Sequence, residues 1–139
     1  GIRVPTIARW TGTVAAGSVT DHVSAFQDVL PTFCELAGVP CPKGLDGISF
    51  APTLRGEDDA QTKHAFLYWE YARRQQAVRM GRWKAFRPRP SKAIQLYDLD
   101  ADPAEAKDVA AAHPEIVERI RTLLSAARRE SEHFPLAKD

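Results

Sequence analysis

Asp98, Asp100 and Asp102 stand two residues apart, the spacing with which an oxygen-donor loop begins to wrap a calcium ion. Such a loop needs glycine at its sixth position for a sharp turn and a bidentate glutamate at its twelfth. Here those positions are Pro103 and Val109, so the run reads as a strand that ends in an aspartate-rich turn. His22, His64, His113 and His133 are scattered, with no HxxxH or HExxH arrangement, and they predict no zinc cluster. Neither a GxSxG nucleophile elbow nor a glycine loop for cradling phosphate occurs. Cys34 and Cys41 are too few for a disulfide framework. Cys34 reads as a buried thiol rather than a ligand or nucleophile. A Cys34–Cys41 disulfide across the turn between them stays open.

One constellation remains. Arg73, Arg74, Arg79, Arg82, Lys84, Arg87 and Arg89 interleave with Trp83 and Phe86, a mixture able to hold single-stranded nucleic acid or another anion. Solvent-facing strand positions are often Lys or Arg, and that plainer account is preferred. Nineteen basic and eighteen acidic residues nearly cancel, so no global field calls for nucleic acid or an anionic membrane. No apolar run approaches the ~20 residues that span a bilayer. A hydrophobic fraction of 44% with charges of both signs fits a folded globular chain. The residues by themselves predict no self-contained active site.

The elements that must position these residues are easier to read. Val23, Phe26, Leu30, Phe33, Cys34 and Ala37 recur every three or four residues, the stripe of an amphipathic helix. Pro31 confines regular helix to about Asp28–Ala37, because first-turn N–H groups have no partner to lose. Asp28 suits the N-cap, and Gly38 with Pro40 supplies the stop. Burial of Phe26, Leu30, Phe33 and Cys34 would each contribute about 1.5–3 kcal/mol, so this helix must dock on something. Val4–Trp10 reads as a strand covered on both faces, the edge of a larger α/β sheet. Pro40–Gly56 is a connector with one helical turn around Phe50–Leu54. A polar boundary at Glu57–Gln61 divides 1–56 from 57–139.

Beyond it, residues 65–70, 75–80, 82–86 and 94–98 are short runs of aromatic and β-branched type, several of them alternating. They predict a four-stranded antiparallel meander with a tight turn at Gly81 and a loop at Arg87–Ser91, where two prolines exclude pairing. His113, Pro114 and Glu115 open a last helix, striped by Ile116, Val117, Ile120, Leu123, Leu124 and Ala127. The expected class is α+β: a four-stranded antiparallel sheet packed by a C-terminal helix, preceded by the last strand and helix of a larger α/β domain.

The order of several short strings is more specific than any one of them. Gly1–Gly12 (GIRVPTIARWTG), Asp28–Thr32 (DVLPT), Glu35–Pro40 (ELAGVP) and Leu45–Gly56 (LDGISFAPTLRG) come first. Tyr68–Glu70 (YWE), Arg79–Lys84 (RMGRWK) and Leu96–Leu99 (LYDL) with Asp102–Glu105 (DPAE) follow. Together they resemble the C-terminal part of a type I sulfatase, over nearly the whole chain. Thr11 stands where that family usually has proline, and Lys107-Asp108-Val109 departs from its Glu/Lys-Asn-Leu.

The resemblance implies a sulfuric ester hydrolase whose nucleophile is a formylglycine made from a CxPxR or SxPxR motif. It also implies a divalent cation, calcium by family habit, held by aspartates and an asparagine. Neither cysteine sits in such a motif, since Cys34-Glu35-Leu36-Ala37-Gly38 and Cys41-Pro42-Lys43-Gly44-Leu45 lack its Pro and Arg. The chain opens without an initiator Met and is expected to be cut from a longer sulfatase, with no catalytic residue, metal ligand or cofactor of its own. On this reading residues 1–56 end the catalytic α/β domain and 57–139 form the small C-terminal subdomain. Arg79, Arg82, Lys84 and Arg87 become candidates for a substrate rim, steering a sulfate-ester small molecule or glycan. Neither nucleic acid nor membrane is expected as a partner. The apolar surface left uncovered by the cut is expected to drive self-association. The alternatives are a phosphonate or phosphate monoester hydrolase of the same superfamily and a non-catalytic binding module.

Overall fold

In the computed structural model, residues 2–136 are described. They fall into two compact units that divide between His64 and Ala65.

The first unit is built on α1 (Val29–Ala37), entered through a 3-10 turn at Phe26–Asp28. Pro31 falls within the first turn of α1, where its missing N–H costs nothing. Gly38 ends the helix in the left-handed region at φ 65°. A second short helix, α2 (Ala51–Arg55), fills the predicted helical turn and also ends on a left-handed glycine, Gly56. Glu35 of α1 takes an ion pair from Arg55 of α2 at 2.8 Å. Gln61 ties the polar stretch after α2 back to it: its Oε1 accepts from the Thr53 N–H (3.1 Å), and its Nε2 donates to the Ser49 carbonyl (2.9 Å). That stretch therefore belongs to the first unit.

One expectation fails here. Val4–Trp10 forms no strand; Val4 is 72% exposed and Ile7 94%. Extended propensity makes a strand only where a ladder partner takes the backbone groups, and no described strand pairs with this run. The apolar stripe of α1 is uncovered, as expected of a helix that belongs against a larger domain: Phe26 is 90% exposed, Phe33 62% and Leu30 49%. Its buried residues are Thr32 and Cys34, next to Asp28 at the N-cap. Periodicity identifies the face that wants an apolar partner; it does not supply one.

The second unit is the predicted meander. Strands β1 (Leu67–Tyr71), β2 (Gln75–Met80), β3 (Trp83–Arg87) and β4 (Gln95–Asp98) pair antiparallel in sequence order. Helix α3 (Pro114–Ala126) has Pro114 at its start and His113 at the N-cap position, as read from the sequence. Its Ile120 and Leu124 pack with Val78, Met80, Ala85, Ile94 and Leu96 as one core. After β4 the chain runs back along the strand: Val109 N–H donates to the Leu96 carbonyl at 2.8 Å, and Asp108 Oδ1 accepts from Leu96 N–H at 3.0 Å. The class is α+β, a four-stranded antiparallel sheet with a C-terminal helix.

Candidate functional site

The four basic rim candidates lie on or between β2 and β3, and pairing decides where each points. Directly opposed residues of an antiparallel pair share a face. Val78 opposes Ala85, and both belong to the core under α3. Gln76 opposes Glu70 on one side and Arg87 on the other, so Arg87 lies on the α3 face. Arg79 opposes Leu67 and Lys84, and Lys84 opposes Tyr97; this row lies on the other face. Arg82 sits in the turn between β2 and β3. The structure therefore brings Arg79 and Lys84 together and sets Arg87 apart from them.

Their partners divide them further. Arg82 forks onto the Asp98 carboxylate, with Nε donating to Oδ1 at 2.7 Å and Nη2 to Oδ2. Those hydrogen bonds hold the Asp98 carboxyl below its usual range. Arginine thus occupies the first carboxylate of the aspartate-rich turn. Lys84 Nζ reaches both carboxylate oxygens of Glu105 at 2.5 Å. Arg79 Nε donates to the Gly81 carbonyl (2.9 Å), and Arg87 Nε to Gln76 Oε1 (2.9 Å). Arg82 and Lys84 are neutralised in place. Among the described residues, Arg79 and Arg87 are paired with no carboxylate, and their charge remains available to an anion.

Behind Arg87 lies a polar row that local sequence patterns did not reveal. Gln76, 1% exposed, accepts from Arg87 and donates through Nε2 to the Tyr68 hydroxyl at 2.7 Å. Tyr68 in turn donates to Glu70 Oε1. Burial, then the bond to Glu70, pushes the Tyr68 hydroxyl up to about 12, which keeps it a proton donor. Arg128, just past α3, places Nε 2.7 Å from Glu70 Oε1 and Nη1 2.5 Å from Glu130 Oε1. The alternation of β1 and β2 could have put Tyr68, Glu70 and Gln76 on one face. It could not have brought Arg128 to them.

The first unit holds a second ionisable group of interest. Asp28 is wholly buried, and its side chain does not cap α1. Instead Oδ2 accepts from the Ala25 N–H (2.7 Å), while Oδ1 accepts from the Ile48 N–H and His64 Nε2 (both 2.8 Å). Thr32 Oγ1 donates to the Asp28 carbonyl (2.6 Å) and accepts from the Phe50 N–H (3.0 Å). These bonds fasten the connector to the polar side of α1. His22 stands nearby: its partial burial lowers its pKa, opposed by Asp28 and reinforced by His64 and Lys63. Among the described residues no group of three or more His, Cys, Asp or Glu is arranged to hold a metal ion. Among the described residues no helix is long and apolar enough to cross a membrane.

Comparison with known proteins places this geometry. Residues 1–130 match the family model described as N-sulphoglucosamine sulphohydrolase, C-terminal. The chain is similar to arylsulfatase A of Homo sapiens, 32% identical over 88% of this chain and 30% of the relative. A solved 2-O GAG sulfatase is 36% identical with a TM-score of 0.60, over 72% of this chain and 23% of that one. A structure in complex with its substrate D-glucosamine-2-N,6-O-disulfate is 26% identical with a TM-score of 0.67, over 86% and 26%. The chain thus spans less than a third of the length of each of these relatives.

Proposed function

Because the chain belongs to the sulfatase family, as its C-terminal domain, we propose that it serves in a hydrolase of sulfate esters carried on sugars. The observation that carries this reading is the family match across residues 1–130. The sugar-sulfate class draws support from the relative solved with a glucosamine disulfate. On this reading the chain supplies structure and a charged surface, and the chemistry belongs elsewhere in the protein.

Family membership implies a formylglycine nucleophile and a divalent cation. The described residues do not fit that group, since no acidic or histidine cluster among them is arranged for a metal, and no CxPxR or SxPxR motif is present. What this chain's residues do is hold shape. The uncovered Phe26–Leu30–Phe33 stripe of α1 is a docking face for the rest of a catalytic domain. Arg79 and Arg87, with charge not spent on carboxylates, are the rim candidates best able to steer an anionic sugar.

The test uses the protein expressed from the whole open reading frame together with a formylglycine-generating enzyme. It is expected to release sulfate from glucosamine 6-sulfate, and Arg79→Gln is expected to raise KM roughly two- to tenfold with little change in kcat. Release of phosphate or phosphonate from matched esters, faster than sulfate, would overturn the assignment. A KM for Arg79→Gln equal to that of the unsubstituted protein would remove Arg79 from the rim.

A further inference from the structure

Where Val78 and Met80 of β2 put apolar side chains into the core, Gln76 puts an amide, 1% exposed. A buried amide is tolerated only when its hydrogen bonds are made. Arginine has donors and no acceptor, so Gln76 Oε1 has to face Arg87. It accepts from both Nε (2.9 Å) and Nη2 of that side chain. Gln76 Nε2 then points the other way and donates to the Tyr68 hydroxyl at 2.7 Å, and Tyr68 donates its own O–H to Glu70 Oε1. Every donor in this row runs in one direction, and the side edge of the Arg87 guanidinium rests on one fixed oxygen. Among the described residues no acceptor takes Nη1, so the outer edge of the fork, Nη1 beside Nη2, stays open on a half-buried side chain.

The chain that follows keeps the same sign of charge. Pro88 and Pro90 stiffen the loop after β3, and the Lys92 N–H closes its turn by donating to the Arg89 carbonyl at 3.0 Å. Among the described residues neither Arg89 nor Lys92 forms an ion pair with a carboxylate. Residues 87–92 thus carry Arg87, Arg89 and Lys92 with no acidic residue among them.

We propose that the open edge of Arg87, backed by the Arg89–Lys92 turn, is a subsite for a second oxyanion on the sugar, a sulfate or carboxylate other than the ester being cleaved. Resting on the sugar-sulfate reading above, this subsite narrows the substrate class to sugars that carry two anionic groups. Two oxygens of a sulfate or carboxylate match the spacing of Nη1 and Nη2, so the contact is bidentate and charge-assisted. Gln76 is too buried to meet the sugar and acts as a positioning residue: it spares the fork a search through rotamers on binding. Glu70 does not cancel the Arg87 charge, because Gln76 stands between them in the strand register and Arg128 Nε lies 2.7 Å from Glu70 Oε1.

The experiment measures binding by calorimetry on the protein from the whole open reading frame, its nucleophile changed to Ala so that no ester is consumed. The probes are N-acetylglucosamine 6-sulfate, glucosamine 2-N,6-O-disulfate, and a disaccharide of glucuronate with N-acetylglucosamine 6-sulfate. A probe with a second anionic group is expected to bind roughly tenfold tighter than the first, or more. Preference for the disulfate alone assigns the subsite to sulfate, and preference for the glucuronate alone assigns it to carboxylate. Arg87→Gln is expected to erase the preference and leave the Kd of the monosulfated probe unchanged, with the fold intact by circular dichroism. Arg87→Lys is expected to restore only part of it, since an ammonium cannot fork. Gln76→Leu is expected to weaken the preference although Arg87 is untouched, and a full preference there would remove Gln76 from its positioning role. The same preference in Arg87→Gln, or none for either doubly charged probe in the starting protein, would overturn the subsite. The hydrolytic reading fails separately. A matured protein that releases no sulfate from any probe, while the preference still depends on Arg87, would count against that reading and leave the anion subsite standing.

Discussion

The buried Asp28 carboxylate does the most for the first unit, because three donors from separate parts of the chain converge on it. Removing it leaves those donors desolvated and unmatched. Asp28→Ala is expected to cost on the order of 3–5 kcal/mol, and a chemical denaturation series showing less than about 1 kcal/mol would contradict that role. His22 adds a pH dependence of definite sign. Its folded pKa lies below the ordinary value of 6.5 because partial burial disfavours the cation. The unfolded chain therefore binds the proton first. The contribution of neutral His22 is complete above that value and is lost as the pH falls through it toward the lower folded pKa. The difference in thermal midpoint between the unsubstituted chain and His22→Asn should be flat at neutral and alkaline pH and shift in the variant's favour under mildly acidic conditions. A difference that grows on raising the pH instead would reverse the argument.

Gly47 shows how a connector is locked to a helix. A Cβ there would lie 2.1 Å from the Gln27 carbonyl oxygen and 3.1 Å from Pro31 Cγ. Backbone cannot step aside for a methyl group, so Gly47→Ala should destabilise the first unit by about 2 kcal/mol or more. An unchanged denaturation midpoint would show that the approach is looser. Composition marks Asp46-Gly47 as a turn, but the reason for the glycine is the entry of α1 lying against it. The same limit runs through the fold. Alternation at Gln76–Met80, the turn at Gly81 and the stripe Ile116–Leu124 were legible because strand and helix periods are local properties. The Asp28–His64 bond spans 36 positions and the Arg128–Glu70 contact 58, and no local period encodes such meetings. Likewise the basic run predicted charge on β2 and β3, while the splitting of Arg79 from Arg87 follows from register. The strand expected at Val4–Trp10 failed because extended propensity cannot replace a ladder.

Over the whole chain, the second unit has its core and its covering helix, whereas α1 carries an apolar stripe that nothing described covers. We propose that the stripe meets the rest of a sulfatase catalytic domain, and that residues 1–139 alone associate through it. A strictly monomeric species by light scattering from micromolar to millimolar concentration would argue against an adhesive stripe. We propose that this chain is the structural C-terminal part of a sulfatase whose nucleophile and cation ligands lie outside it. The most direct test compares turnover of a chromogenic aryl sulfate, with calcium present, by three samples: residues 1–139, the protein from the whole open reading frame matured by a formylglycine-generating enzyme, and that protein with its nucleophile changed to Ala. The account predicts turnover in the second sample and background in the other two. Hydrolysis above background by residues 1–139 would contradict it.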